Sequence, residues 1–196
     1  MIKIIIELSE NDIRYPRFLK KIDNNPKMLY TLGNLDNLNK HCIAIVGTRN
    51  CSEYGKKMAE LIAYKYAKKG YVIVSGLASG IDTYAHIGAI LAKGKTVAVM
   101  GTGLNRIYPY ENTGLARKII YSGGTIITEY SMKSKIINDN FAYRNRIISG
   151  LCENVIIVEA GEKSGALVTA EFAIEQGREV YAVPRKNKLW NLFWHK

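Results

Sequence analysis

Six short runs of β-branched and aliphatic residues recur along the chain from residue 42 onward, and each is apolar at consecutive positions. Consecutive apolar positions are expected of strands that are covered on both faces, as in a parallel sheet. The six predicted strands are 42–46, 71–75, 96–100, 125–129, 155–159 and 179–183.

Amphipathic helical patterns separate these runs. Residues 55–70 place four apolar side chains on one stripe with lysines opposite, and the pattern stops at Gly70; the four are Met58, Leu61, Ile62 and Tyr66. Three further helices are predicted over 79–92, 141–151 and 165–176. The alternation of strands and helices predicts an α/β fold with a doubly wound, mostly parallel Rossmann-like sheet.

Residues 1–40 and 185–196 lack the alternation of strands and helices that is found in the middle of the chain. Residues 1–40 contain two prolines, several asparagines and a short amphipathic piece at 16–22, which predicts an extension that packs on the core. Residues 41–184 form the predicted Rossmann-like domain, and 185–196 an atypical tail. The pattern contains no internal repeat and no low-complexity tract.

Composition and charge favour a globular protein with an anionic partner. Hydrophobic residues make up 47% of the 196 residues, and the formal net charge is +11. Nucleic acid, an anionic membrane surface and phosphorylated ligands all remain open, as does a charge that serves solubility alone.

Three scattered cysteines form neither a CxxC pair nor a metal-ligand spacing, so we predict no metal site. They fit a reducing, cytoplasmic environment in which a buried cysteine acts as a small apolar filler. The first ten residues do not resemble a signal peptide, and no apolar stretch is long enough to span a bilayer. We therefore expect no membrane association.

Glycines follow most of the predicted strands, at 47-GTRNCSEYG-55, 76-GLASGID-82, 101-GTG-103 and 161-GEKSG-165. The carboxyl ends of parallel strands share one edge of the sheet, so these loops should lie side by side. Glycine lets backbone N–H groups approach a ligand, and helix N-termini favour anions. The pattern favours a phosphate site over turn chemistry alone.

Well-known nucleotide and catalytic motifs are missing. The chain has no GxxxxGK[ST] loop, and 101-GTGLNR-106 has Arg106 where a dinucleotide motif needs its third glycine. Asp82 and His86 stand four apart and could hydrogen-bond, although a helix-capping Asp82 with a structural His86 explains them equally simply. We predict no catalytic residues and no cofactor.

Cations, in contrast, converge on the predicted edge: Arg49 in the first loop, Lys163 in the last, and Arg144 and Arg146 where a helix begins. A row of cations suits a run of phosphates better than a single phosphate. One alternative for the arginine pair stays open: buried acids such as Glu129 and Glu159 could neutralise it. Tyr143 and Phe141 nearby could stack on bases, with Phe141 also a core candidate.

Seven segments of the chain resemble the DprA/Smf family of bacterial DNA-processing proteins. The matching segments are 15-YPRFLKKIDNNPKMLYTLGN-34, 44-AIVGTRNCSEYG-55, 74-VSGLASGIDTYAH-86, 98-AVMGTGLNRIYPYEN-112, 123-GGTIITEY-130, 144-RNRIISGL-151 and 159-EAGEKSGALVTAEFAIEQGREVYAVP-184. They follow the family's order and cover nearly the whole chain.

The resemblance implies a non-enzymatic function: protecting incoming single-stranded DNA during natural transformation (competence) and DNA recombination, loading the RecA recombinase, and acting as a homodimer. By motif, the family's basic pocket falls on Arg49, Arg144, Arg146 and Lys163, with Ser164 beside it. The glycines expected to shape it are Gly47, Gly76, Gly80, Gly101 and Gly103.

Two departures from the family pattern stand out. Ala142 replaces the usual proline before the RNR segment, and 185-RKNKLWNLFWHK-196 replaces the usual continuation. Trp190, Phe193 and Trp194 could form a stacking platform, but we expect a truncated or altered end.

Two other functions remain open. The segment 123-GGTIITE-129 is faintly similar to that of nucleotide-binding phosphoribohydrolases, which would make Glu129 catalytic on a nucleoside monophosphate. The second open function is that of a sensor that binds a small nucleotide on the same fold.

Overall fold

An eight-stranded sheet organises the part of the chain that the structure, a computed structural model, describes, namely residues 4–162 and 164–184. Its strands are β1 (Ile6–Ser9), β2 (Met28–Gly33), β3 (Cys42–Val46), β4 (Val72–Ser75), β5 (Thr96–Val99), β6 (Thr125–Thr128), β7 (Asn154–Ile157) and β8 (Glu179–Ala182). The helices are α1 (Glu53–Lys68), α2 (Ile81–Leu91), α3 (Thr113–Tyr121), α4 (Asn138–Tyr143), α5 (Asn145–Gly150) and α6 (Gly165–Glu175).

The strand order is β1-β2-β6-β5-β4-β3-β7-β8. Strands β3 to β8 pair in parallel, whereas β1 pairs with β2, and β2 with β6, in antiparallel fashion. The chain winds outward from β3 to β6 and then returns to place β7 on the other side of β3. The predicted doubly wound, mostly parallel sheet is thus confirmed, with its switch point between β3 and β7.

Helices cover both faces of the sheet, which is why the central strands are buried throughout and mostly apolar. On one face α1 and α2 pack closely through small residues, among them Ala59, Ala63 and Ala85. The opposite face is covered by the N-terminal segment, α5 and α6, with Leu19, Ile147 and other apolar side chains in one core. Every position of β3, β4, β5 and β6 is buried.

The N-terminal segment contributes more than a covering layer. Residues 6–9 and 28–33 form β1 and β2, two strands that the sequence analysis did not predict, hydrogen-bonded onto β6. In β2 only alternate residues, Leu29 and Thr31, are buried, as expected for a strand near a sheet edge. The three-part domain division of the chain stays a prediction.

The predicted helices need two corrections. The single helix expected over 141–151 is two six-residue helices, α4 and α5, which meet at Arg144 because its side chain turns toward the ends of neighbouring strands. Helix α3, over residues 113–121, was not predicted. No helix in the described part of the chain is long and apolar enough to cross a bilayer.

Candidate nucleic-acid interface

The carboxyl edge of the sheet holds two adjoining clefts. The larger, of about 400 Å³, lies at the switch point between β3 and β7, and the smaller, of about 190 Å³, lies toward β4 and β5. Both are lined by Arg49, Ala78, Phe141 and Arg144, so these residues form the wall between them. In open α/β sheets this edge is where ligands bind.

Arg49 is the exposed cation of this wall. It follows β3 in the loop 47–52, and its guanidinium carbon lies 6.0 Å from the centre of the Phe141 ring. Within the described residues, no carboxylate lies within 4 Å of the Arg49 guanidinium. Its charge is therefore available to a ligand.

The Arg49 loop is held by contacts that span the switch point. The Thr48 amide donates to the backbone oxygen of Glu159, after β7, at 2.7 Å, and the Ile81 amide donates to the Thr48 oxygen at 3.2 Å. The Glu159 carboxylate accepts from the amide and hydroxyl of Ser52, which caps α1. Glu159 therefore positions the loop and, in the described residues, is not a partner of either arginine in the RNR segment.

Arg144 is buried, with only 4% of its surface exposed, yet lines both clefts. Its Nη1 donates to the backbone oxygens of Gly76, at 2.7 Å, and Val99, which end β4 and β5. Burial lowers the Arg144 pKa to about 10, although the nearby charge of Asp82 opposes the fall, so Arg144 remains a cation at neutral pH. The guanidinium is thus fixed by carbonyl groups at the strand ends.

Asp82 supplies the negative charge near the Arg144 guanidinium, a relationship that the sequence analysis did not predict. Its Oδ2 accepts from the amides of Gly76, at 3.0 Å, and Ala78, at 3.4 Å, in the loop before α2. Burial raises the Asp82 pKa, although Arg144 and these donors oppose the rise. The sequence feature that could have indicated this role is an aspartate in the first helical turn after 76-GLASG-80.

His86 does not form a dyad with Asp82. Its Nδ1 lies 2.7 Å from the Thr96 hydroxyl, and that hydroxyl donates to the Ile73 oxygen, so Nδ1 carries the proton. No hydrogen bond joins it to Asp82 among the described residues. Burial lowers the His86 pKa to about 3, which keeps the ring neutral.

Arg146 has a different environment from Arg144. It is buried, and its two terminal nitrogens donate to the two carboxylate oxygens of Glu129 at 2.7 and 2.6 Å. Its Nε donates to the Asn24 oxygen at 3.0 Å, and its guanidinium lies 3.8 Å from the Tyr143 ring centre. The structure thus realises, for Arg146 and Glu129, the alternative of neutralisation by a buried acid.

Several glycines allow the loops and side chains at the carboxyl edge of the sheet to pack closely against one another. A Cβ added to Gly76 would lie 2.8 Å from the Arg144 guanidinium, and one added to Gly101 would lie 2.8 Å from the Phe141 ring. Gly80 has φ +77°, and a Cβ there would lie 2.3 Å from the Thr48 oxygen. Gly47 and Gly103 are similarly crowded, by Ile81 and by the Ser131 oxygen.

The remaining predicted positions divide between the cleft and the undescribed part of the chain. Ser164 lines the larger cleft and caps α6 by accepting from the Ala166 amide at 3.3 Å. Lys163 and the tail, with Trp190, Phe193 and Trp194, lie outside the described residues. In the residues that are described, no group of histidine, cysteine and acidic side chains is suited to hold a metal.

Comparison with known families gives one family match. The model of the family described as DNA recombination-mediator protein A matches residues 7–190, so the first six residues of the predicted atypical tail fall inside it. The DNA processing protein DprA of Bacillus subtilis is 46% identical over 172 residues, covering 87% of this chain and 58% of the relative. Protein Smf of Escherichia coli is 42% identical over 170 residues, covering 87% and 46%.

Two solved structures are similar throughout. DNA processing protein A from Streptococcus pneumoniae matches with a TM-score of 0.85 and 41% identity, covering 95% of this chain and 65% of that one. The Helicobacter pylori protein, described as having a unique single-stranded DNA binding mode, matches with a TM-score of 0.84 and 30% identity, covering 96% and 83%. The chain spans about half the length of the curated relatives it matches.

Proposed function

The chain belongs to the DNA recombination-mediator protein A family, and from this membership we propose that it binds single-stranded DNA at the carboxyl edge of its sheet. The predicted resemblance to the DprA/Smf family is confirmed by the same matches. One observation carries the proposal: Arg49 and Arg144 line two adjoining clefts, and within the described residues neither is within 4 Å of a carboxylate.

The two arginines suit a phosphodiester backbone. Arg49 is exposed and free to move toward a phosphate, whereas Arg144 is held in place by carbonyl oxygens. Contacts to phosphates carry no base identity, so binding with little sequence preference is expected. Phe141, between the clefts, adds a flat apolar surface against which a base can stack.

The wider activity is also part of the proposal. Protection of incoming DNA, loading of the RecA recombinase and assembly as a homodimer are carried over from the resemblance, and the relatives are about twice as long as this chain. We assign no catalytic step. Glu129, on which the phosphoribohydrolase alternative depends, holds Arg146 with both carboxylate oxygens and is not positioned as a free base.

A salt titration of oligonucleotide binding tests the proposal. Arg49→Gln should weaken binding of all single-stranded sequences alike and reduce the slope of log K against log salt by about 0.7, the value for one phosphate contact on a single strand. Arg117→Gln, which changes an exposed arginine on α3, is the matched control and should leave both unchanged. Fluorescence anisotropy at several salt concentrations gives both quantities.

The contrary results are distinct. If oligonucleotides bind no more tightly than a mononucleotide, the protein is not a strand-binding protein and the small-nucleotide alternative gains support. If Arg49→Gln and Arg117→Gln have equal effects, strand binding takes place elsewhere on the surface. A combined Arg144→Ala and Arg146→Ala change should also weaken binding of all sequences, but it removes buried contacts and is less diagnostic.

A further inference from the structure

Exposed apolar side chains gather beside the smaller cleft, on the loops that follow β5 and β6. We name as the loop platform Tyr108, Met132, Ile136 and Ile137, which are 50%, 52%, 43% and 53% exposed. Isolated exposed apolar residues need no explanation, but several on two neighbouring loops beside a cleft indicate an interaction site.

The two loops are tied together, so the platform is a feature of the fold. The Asn105 side chain donates to the Met132 oxygen at 3.1 Å, and Gly103 packs against the backbone of Ser131 and Met132. The Tyr108 ring lies 5.0 Å from the Phe141 ring, between their centres, with a 40° tilt. Tyr108 therefore joins the platform to the wall between the two clefts.

Cations accompany the apolar side chains. Arg106, Lys133 and Lys135 are exposed on the same loops, and within the described residues none has a carboxylate within 4 Å. Two exposed acids lie nearby, Glu111 on the loop after β5 and Asp139 in the first turn of α4. The combination of apolar surface with unpaired positive charge suits a ligand that has flat apolar groups on an anionic backbone.

The size of the clefts indicates where such a ligand would continue. Volumes of about 190 and 400 Å³ lie at or below the lower end of the range for small-molecule sites, so the clefts do not hold a long strand. A longer strand must leave the clefts. From β3, beside the switch point, to β6 is roughly 14 Å at the usual strand spacing, and the platform lies near the end of β6.

We propose that the loop platform binds bases of a single-stranded nucleic acid whose backbone is held in the two clefts. The inference rests on the proposed function and extends it to a second contact surface. Bases would pack flat on the aliphatic side chains, while Arg106, Lys133 and Lys135 approach the phosphates between them. A second copy of the chain and an anionic membrane surface are the competing occupants, and neither explains the continuity with the clefts through Tyr108.

The test combines one variant with three probes. Met132→Ser, Ile136→Ser and Ile137→Ser are made together, and Tyr108 is kept because it lines a cleft. The matched control changes Leu91→Ser and Ile174→Ser, two apolar residues that are 58% and 68% exposed on other helices. The probes are a thymidine 4-mer, a thymidine 12-mer, and an abasic 12-mer that keeps the phosphates.

The triple variant should bind the 12-mer about tenfold more weakly than the unchanged chain does. Its affinity for the 4-mer and for the abasic 12-mer should match that of the unchanged chain, as should the control's affinity for all three probes. All altered positions are exposed, so the fold should persist, and circular dichroism checks this.

Other outcomes overturn the inference. An equal loss for the abasic strand means that the platform does not contact bases, and no loss for the 12-mer means that it does not contact DNA. A change in oligomeric state, or in binding to phosphatidylglycerol vesicles, with unchanged DNA affinity assigns the surface to a second copy or to a membrane. If the unchanged chain binds neither oligonucleotide, the proposed function fails and the inference fails with it.

Discussion

At the scale of single residues, Arg144 and Arg146 flank Asn145 but face different partners. Arg144 is held by carbonyl oxygens and lines the clefts, while Arg146 is held by a carboxylate, a backbone oxygen and the Tyr143 ring. Burial opposes the shift, but the hydrogen bonds and the charge of Glu129 together raise the Arg146 pKa, so Arg146 is a cation throughout the physiological range. We infer that Arg146 supports the junction of α4 and α5, which places Arg144.

This structural role of Arg146 is testable. Arg146→Met should lower the free energy of unfolding by about 3–5 kcal/mol, since it leaves the Glu129 carboxylate without its partner. The double change Arg146→Met with Glu129→Met should recover much of that loss, and urea unfolding measures both. If Arg146→Met keeps full stability but abolishes DNA binding, Arg146 is a ligand contact instead.

His86 predicts a pH dependence of stability. Its pKa is about 3 in the folded chain, because of burial and the nearby Arg144 charge, against about 6.5 when unfolded. The unfolded chain therefore binds more protons between these values, and stability is lost as pH falls below about 6.5.

By pH 5 this loss amounts to about 2 kcal/mol for one group. His86→Gln keeps a donor for the Thr96 hydroxyl but does not titrate, so its stability should fall less between pH 7 and pH 5. Chemical unfolding of both proteins at each pH gives the difference. Parallel pH profiles would show that His86 is not the responsible group.

At the scale of elements, the start of α2 and the loop after β3 depend on each other. Gly80 has a left-handed φ of +77°, and a Cβ there would lie 2.3 and 2.5 Å from the backbone oxygens of Thr48 and Arg49. These are backbone atoms, which cannot move aside as a flexible side chain would. A larger residue at position 80 must therefore displace the Arg49 loop.

Gly80→Ala should destabilise the protein by about 2 kcal/mol or more and weaken DNA binding as well. Gly161→Ala is the matched control, because Gly161 lies at the same edge, no atom of the described residues lies within 4 Å of an added Cβ, and its φ is outside the left-handed range. Thermal unfolding and oligonucleotide binding are measured for both. Equal effects would mean that contact with the Arg49 loop is not what Gly80 provides.

At the scale of the whole molecule, consecutive apolar runs were enough to predict the six parallel strands, since burial on both faces leaves a local pattern. Strands β1 and β2 were not predicted. Strand β1 is only four residues long, β2 lies in a stretch rich in asparagine and proline, and β2 pairs with β6, which is distant in sequence. The carboxyl-edge location of Arg49 and Arg144 followed from the parallel direction of the strands, because parallel strands end at one edge. The choice of Glu129 for Arg146 rather than Glu159 did not, because it depends on side-chain directions.

The return of the chain to β3 has a consequence for biosynthesis. Strand β3 ends at Val46, but its neighbour β7 begins only at Asn154, and the larger cleft forms between them. Translation adds about 5–20 residues per second, so roughly 5–20 s pass between the synthesis of β3 and that of β7. During that interval an unpaired hydrogen-bonding edge of β3 is exposed next to an unfinished cleft, so a nascent chain needs protection from misassociation until β7 has been made.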